Sequence, residues 1–216
     1  MSIEPHGGRL IDRRLTGEDR QRAIEEATGF PRLTLDAWEV SDLELIANGA
    51  FSPLEGFMKE DDYYGVINNM RLSDGTIWTI PIVLGVTPSE AEQVSLGERA
   101  GLYSEDGTLL GLIEVGDIYE GDKNLEAEKV YRTTEEAHPG VKRVYQRDSK
   151  LIGGKISLVN RIKPKLFPDM YLDPVETRHI FEEKGWKRIV AFQTRNPIHR
   201  AHEYLQKCAM EICDGL

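Results

Sequence analysis

The stretch AGLYSEDGTLLGLIEV, Ala100 to Val115, decides how the larger part of this 216-residue chain is read. Two apolar runs flank Asp106-Gly107, and an Asp-Gly pair between such runs signals a hairpin, because glycine takes the positive φ that the turn demands. Outward from the hairpin, TIWTIPIVLGVT, Thr76 to Thr87, reads as another strand, and KISLV, Lys155 to Val159, as a further one. Two helices precede them. Glu18 to Thr28 stops at Gly29 and Pro31, and Asp42 to Asn48 is entered at Ser41 with Glu44 completing a capping box. Pro5 to Gly8 and Gly49 to Met58 read as loops. The pattern implies a mixed domain of short strands extending to about Asn160.

From Arg161 to Pro174 the chain carries Pro164, Pro168 and Pro174 and has little periodicity, so it reads as an extended connection. A well-signalled helix follows, with Asp173 as N-cap, Pro174 at the first helical position, Glu176 completing the box and Gly185 as the stop. Arg188 to Thr194 reads as a buried strand, and the residues after Pro197 as a helix with Leu205, Cys208, Ala209 and Ile212 on one face. One strand cannot supply the core of a doubly wound sheet, so the chain is expected to be a fragment of a longer protein.

Composition limits the partners. The formal net charge of −10 repels nucleic acid, acidic membranes and anionic substrates, so any anion must be captured by local positive groups. No run approaches the roughly 20 apolar residues of a membrane helix, and MSIEPHGGRL lacks a signal core. A cytoplasmic protein is the expectation. Cys208 and Cys213, the only cysteines, fall five apart on one expected helix and read as structural, which fits a reducing compartment.

The chemistry concentrates in VAFQTRNPIHRAHEYL, Val190 to Leu205. Gln193, Thr194, Arg195 and Asn196 can all hydrogen-bond, and Pro197 keeps Asn196 extended and the turn open. Placed where a strand ends and a helix begins, these residues meet the unpaired N–H groups that favour an anion. Arg195 offers a planar fork for a tetrahedral oxyanion; the bland reading is a solvated arginine paired with a nearby glutamate. His199 and His202, three apart, share one face of the first helical turn and read as neutral donors to phosphate oxygens rather than zinc ligands, since no third ligand continues the spacing. SKLIGGKI, Ser149 to Ile156, approaches a P-loop but has Ser149 for its first glycine and Ile156 for its hydroxyl residue, so it reads as a glycine-containing loop before the KISLV strand. His138-Pro139-Gly140 reads as a simple turn, whereas the role of His6 stays open.

QTRNPIHRAHE, Gln193 to Glu203, resembles the signature of the ATP sulfurylase family. PHGGRL near the start, VSDLELIANGAFSPLEGFM at Val40 to Met58, MRLSDGTIW at Met70 to Trp78, DIYEGDK at Asp117 to Lys123 and HPGV at His138 to Val141 are similar to that family in the same order. The resemblance implies an α/β protein: a β-rich PUA-like amino-terminal domain over residues 1–164, then the first part of a Rossmann-like nucleotidyltransferase domain over 165–216. It implies transfer of the adenylyl group of ATP to sulfate, giving adenosine 5′-phosphosulfate and pyrophosphate, with Mg²⁺ accompanying ATP. Gln193 and Asn196 would then contact ATP, Arg195 sulfate, and Thr194 the same site, while His199 and His202 would stabilise charge on the phosphates. The full-length enzyme is expected to be a homo-oligomer, and the 216 residues alone to be inactive. Two other readings compete with it: a different adenylyltransferase of the superfamily, which would carry H-x-G-H where Ala201 stands here, and a non-catalytic interaction module.

Overall fold

The computed structural model describes residues 3–162 and 166–216. The expected boundary between residues 164 and 165 therefore lies outside the described residues. The hairpin at Asp106-Gly107 forms: β4, Arg99–Ser104, pairs antiparallel with β5, Leu109–Glu120, and Gly107 takes φ +82°. β1, Arg32–Leu35, runs parallel to β4. On the other edge β6, Lys150–Leu158, pairs antiparallel with β5 and itself receives β2, Gly56–Phe57, and β3, Leu84–Val86. The result is one six-stranded mixed sheet whose long central strands are β5 and β6.

Several sequence expectations are corrected by local physics. The SKLIGGKI segment is no loop, because β6 begins at Lys150 and runs through both glycines. A side chain at Gly154 would collide with the Glu114 carbonyl, and one at Gly153 with that of Met58, so the glycines permit close backbone approach rather than phosphate binding. Of the expected Thr76–Thr87 strand only β3 forms. Of the residues before it, Ile77, Thr79 and Ile80 are exposed, Ile77 in an isolated bridge to Arg71, whereas Ile82 and Val83 are buried without joining a strand. His138-Pro139-Gly140 is more than a turn: the Gly140 N–H donates to His138 Nδ1 at 3.1 Å, capping α6, Pro139–Gln146.

The helices flank the sheet. α1, Gly17–Ala27, matches its expected position, whereas α2 spans Ala37–Ala47 and starts five residues before the expected entry. Its real capping box is Asp36 with Glu39, not Ser41 with Glu44. The Asp36 carboxylate accepts the N–H groups of Trp38 and Glu39, and the Glu39 carboxylate accepts that of Asp36. The further helices are α3, Glu60–Asn69, the single turns α4, Pro88–Ala91, and α5, Lys123–Glu126, and beyond α6 the pair α7, Pro174–Glu183, and α8, Arg200–Met210. Leu33, Ile46, Leu84, Leu102, Ile113 and Ile152 are sealed from solvent between sheet and helices. No described helix is long and apolar enough to cross a membrane.

The carboxyl-terminal part attaches to this domain through charge. The buried Asp173, N-cap of α7, receives Arg14 at 2.5 Å and both terminal nitrogens of Arg161 at 2.7 and 2.8 Å. The Arg161 Nε in turn donates to Glu44 on α2 at 2.7 Å. These contacts hold the Arg161 guanidinium more firmly charged than usual, with the Asp173 hydrogen bond the leading cause. Beside this clasp, Leu45 of α2, the C-cap Asn48, and Phe181 and Trp186 in and just after α7 border a cavity of about 530 Å³.

Candidate functional site

The site builds on the segment between α7 and α8. The expected strand over Arg188 to Thr194 is reduced to one parallel bridge, Ile189 to Gly215. Asp214 clips that bridge: its carboxylate accepts the N–H groups of Lys187 and Arg188 at 2.9 and 2.8 Å. These two backbone bonds hold the Asp214 carboxyl below its usual range. The chain thus passes from Ile189 through α8 and returns parallel at Gly215, the sense of a βαβ crossover. Trp186 lies against Gly215, where any side chain would meet the indole.

Between these points the polar turn stands open. The Thr194 hydroxyl accepts the Asn196 N–H and donates to the Asn196 carbonyl, both at 3.1 Å, so Thr194 closes the turn that Pro197 follows. Gln193, Arg195 and Asn196 are exposed, and Thr194 is half-buried. Among the described residues Arg195 has no hydrogen-bond or ion-pair partner, so the bland reading of an arginine tied to a glutamate does not hold. Arg195 stands on the surface, and among the described residues nothing covers its guanidinium.

The two histidines come together, though not as two donors on one helical face. His199 is the N-cap of α8: its Nδ1 accepts the Ala201 N–H at 3.3 Å. That bond needs an unprotonated Nδ1, which leaves Nε2 as the outward donor. The His202 ring lies against it, centroids 3.9 Å apart and planes inclined by 31°, and Phe192 closes the far side edge-on at 5.5 Å. Among the described residues His202 Nδ1 is buried without a hydrogen-bond partner. Periodicity placed the histidines near each other but missed Phe192, whose alternation along an extended segment was the available signal.

Helix α8 departs from expectation on its apolar side. Leu205 and Ile212 are 57% and 66% exposed and Cys208 is exposed, while His202, Gln206 and Ala209 form the half-buried face. Cys213 lies beyond the helix end at Met210. His6 is placed far from this turn: its Nε2 meets the Ile77 carbonyl at 2.8 Å and its ring lies 6.1 Å from that of Trp78, so it holds a surface loop.

The assembled turn joins a free guanidinium, two amide side chains and a donor imidazole to the amino terminus of an 11-residue helix. Such a set suits a polyanion, because the first-turn N–H groups lie outside the helix's own hydrogen bonds and the dipole favours negative charge. Among the described residues no cluster of His, Cys, Asp and Glu could hold a metal ion.

Known proteins bear on these residues directly. A family model described as a PUA-like domain matches residues 3–161, and one described as ATP-sulfurylase matches residues 168–216. A sulfate adenylyltransferase of Halothermothrix orenii is 53% identical over 215 residues, 99% of this chain and 56% of that protein. A probable bifunctional SAT/APS kinase of Sorangium cellulosum is 47% identical over 214 residues, 99% of this chain and 37% of that protein. Among solved structures, a hexameric APS kinase from Thiobacillus denitrificans superposes with a TM-score of 0.76 at 28% identity, covering 98% of this chain and 38% of that one. The chain spans about half the length of the curated sulfate adenylyltransferases it matches.

Proposed function

The chain belongs to the ATP sulfurylase family, and on that premise we propose that the protein it forms part of transfers the adenylyl group of ATP to sulfate, with Gln193 to His202 as one wall of the site. The observation that carries this reading is the unpaired Arg195 beside the His199–His202 pair at the amino terminus of α8. In the reaction a sulfate oxygen forms a bond to the α-phosphorus, the bond from that phosphorus to the bridging oxygen breaks, and pyrophosphate leaves in line. Sulfate is the base of a strong acid and needs no proton removed, so no side-chain nucleophile or general base is required. The work is positioning and charge stabilisation.

Arg195 offers a bidentate fork to sulfate, which must be held against the repulsion of the ATP phosphates. Gln193 and Asn196 contact the nucleotide, and Thr194 fixes the backbone of the turn between them. His199 donates through Nε2 to phosphate oxygens, with His202 and Phe192 behind it fixing the ring. The donor set is amide, guanidinium and imidazole rather than carboxylate, which suits a Mg²⁺ brought in on the ATP phosphates over one caged by protein. Magnesium bound there would neutralise charge on the departing pyrophosphate.

The domain boundary falls between residues 164 and 165, a division supported by the absence of buried apolar side chains beyond Val159 among the described residues. The full-length protein is a homo-oligomer in the cytoplasm, and the 216 residues alone form no adenosine 5′-phosphosulfate, since they span half the relatives' length. The test is sulfate-dependent pyrophosphate exchange by the full-length protein. Arg195→Ala loses activity by about 10³-fold and Arg195→Lys recovers little of it, while His199→Ala loses about 10²-fold or more, mainly in kcat. Near-normal exchange in Arg195→Ala at saturating sulfate would remove the assignment.

A further inference from the structure

The first domain carries a cavity of about 680 Å³ that the anion turn does not use. One of its walls is built in advance. The Trp78 indole N–H donates to the Ile80 carbonyl at 2.7 Å, Phe51 meets the ring edge-on at 5.8 Å, and His6 supports it from the Ile77 side. Trp38 on α2 lines the same cavity and is 68% exposed, and Ile77 and Ile80 extend the apolar surface around it. Trp38 is the most exposed large apolar side chain among the described residues of this region, and an indole left in solvent beside a concave apolar surface marks a place where something binds.

The charges around the cavity select the kind of ligand. Its two arginines are engaged within the protein: Arg143 pairs with Asp36 and lies close enough to Asp42 to draw its carboxyl down in part, and Arg147 pairs through a terminal nitrogen with the buried Glu126 at 2.7 Å, its Nε alone lacking a partner among the described residues. Glu39 is satisfied by the N–H groups of Asp36 and Gly85 at 3.0 and 2.9 Å. Asp42 remains. It makes no hydrogen bond or ion pair among the described residues, and burial together with the nearby Asp36 pushes its carboxyl up to about 6. Asp42 lies four residues after Trp38, which puts the carboxylate one turn from the indole on the same face of α2.

We infer that this cavity binds a small organic cation, an ammonium or guanidinium on an apolar stem, its head on the Asp42 carboxylate and its stem against the Trp38 and Trp78 indoles. An anion would face the unpaired Asp42 carboxylate, and a neutral apolar molecule would further desolvate it. A cation relieves that carboxylate and gains the negative faces of two indoles. The inference stands apart from the proposed adenylyl transfer, because it shares no residue with the α8 turn.

Three isosteric probes decide it: phenethylamine, 2-phenylethanol and phenylacetate, titrated into the 216-residue chain while the indole N–H signals of Trp38 and Trp78 are followed by nuclear magnetic resonance. Phenethylamine should shift both signals saturably and bind at least about tenfold tighter than phenylethanol, and phenylacetate should not bind. Asp42→Asn should bring phenethylamine to the level of phenylethanol, and Trp38→Ala should weaken it, with both variants keeping the wild-type circular dichroism. The probe series needs no variant, so a misfolded substitution leaves the test standing. Equal binding of amine and alcohol, tight binding of the acid, no binding of any probe, or self-association through Trp38 that excludes the amine would each overturn the inference.

Discussion

Residues 3–162 and 166–216 differ in where their apolar side chains go. The first region buries its own, with Leu33, Leu35, Ile46, Leu84, Leu102, Ile113 and Ile152 at 0% exposure. In the second, only Asp173 and Gly215 are buried among the described residues, and Phe167, Met170, Tyr204, Leu205 and Ile212 face solvent. One region is stabilised by close packing, the other by a few directed contacts: the Asp173 clasp, the Asp214 clip and the caps of α7 and α8. The residues proposed to handle anions all lie in the second. Sites that must admit two anions at once are drawn from the less firmly packed parts of a fold, and this chain sets its anion-handling residues apart from its core along its length.

The largest effect should come from the core. Ile113, sealed between β4 and β6, touches both neighbours in the sheet, and Ile113→Ala should cost about 2–5 kcal/mol through lost burial and a residual cavity. Ile212→Ala, at a site 66% exposed, should stay within about 0.5 kcal/mol. Urea denaturation of the two variants measures the difference, and comparable losses would mean that α8 is packed in solution and the contrast between regions is false.

A smaller effect should sharpen the same comparison at the junction. Asp173 gathers Arg14 from the amino-terminal segment and Arg161 from the end of the first domain. Asp173→Ala leaves both guanidinium groups without that acceptor, at a cost of about 1–3 kcal/mol. The loss should appear as hydrogen exchange about ten- to a hundredfold faster in α7, with β5 and β6 unchanged. Exchange that quickens equally in the central strands would show the clasp to be part of the first domain's own stability.

What the sequence disclosed follows the same division. The hairpin, α1 and the caps of α7 were legible because they rest on local rules: an Asp-Gly turn, a glycine stop, a proline at the first helical position. The start of α2 was missed because Ser41 and Glu44 make as good a capping box on paper as Asp36 and Glu39. Only the long-range bond from Gly85 to the Glu39 carboxylate tells them apart. The glycines of β6 were misread because their cause is the approach of Glu114 and Met58 from neighbouring strands, far off in sequence. In the site, residue identities were legible and their relations were not. The stacked histidines and the support from Phe192 depend on how the extended segment folds onto α8.

The smallest expected effect concerns acid, which should act on the two regions in opposite senses. In the first region, burial pushes Glu39 up to about 7 and Asp42 up to about 6. A carboxyl raised in the folded state binds protons that the unfolded chain has already released. Its contribution is therefore complete below the unfolded value and is lost as pH rises through about 6 to 7. In the second region Asp214 is held low by its two backbone N–H donors. Its contribution is present above the ordinary aspartate value and disappears only as pH falls below it. Asp42→Asn removes one of the raised groups without adding bulk. Relative to wild type, its melting temperature should rise by about 2–4 °C between pH 4.5 and pH 8, a figure scaled down for the partial exposure of the side chain. Asp214→Asn should instead quicken hydrogen exchange around Ile189 at neutral pH, with an effect that shrinks as pH falls below the ordinary aspartate value and the wild-type carboxylate in turn loses its charge. A mutant-minus-wild-type difference for Asp42→Asn that stays flat across that range would mean the carboxylate is solvated, and would remove both this pH dependence and the reason for a cation to seek it.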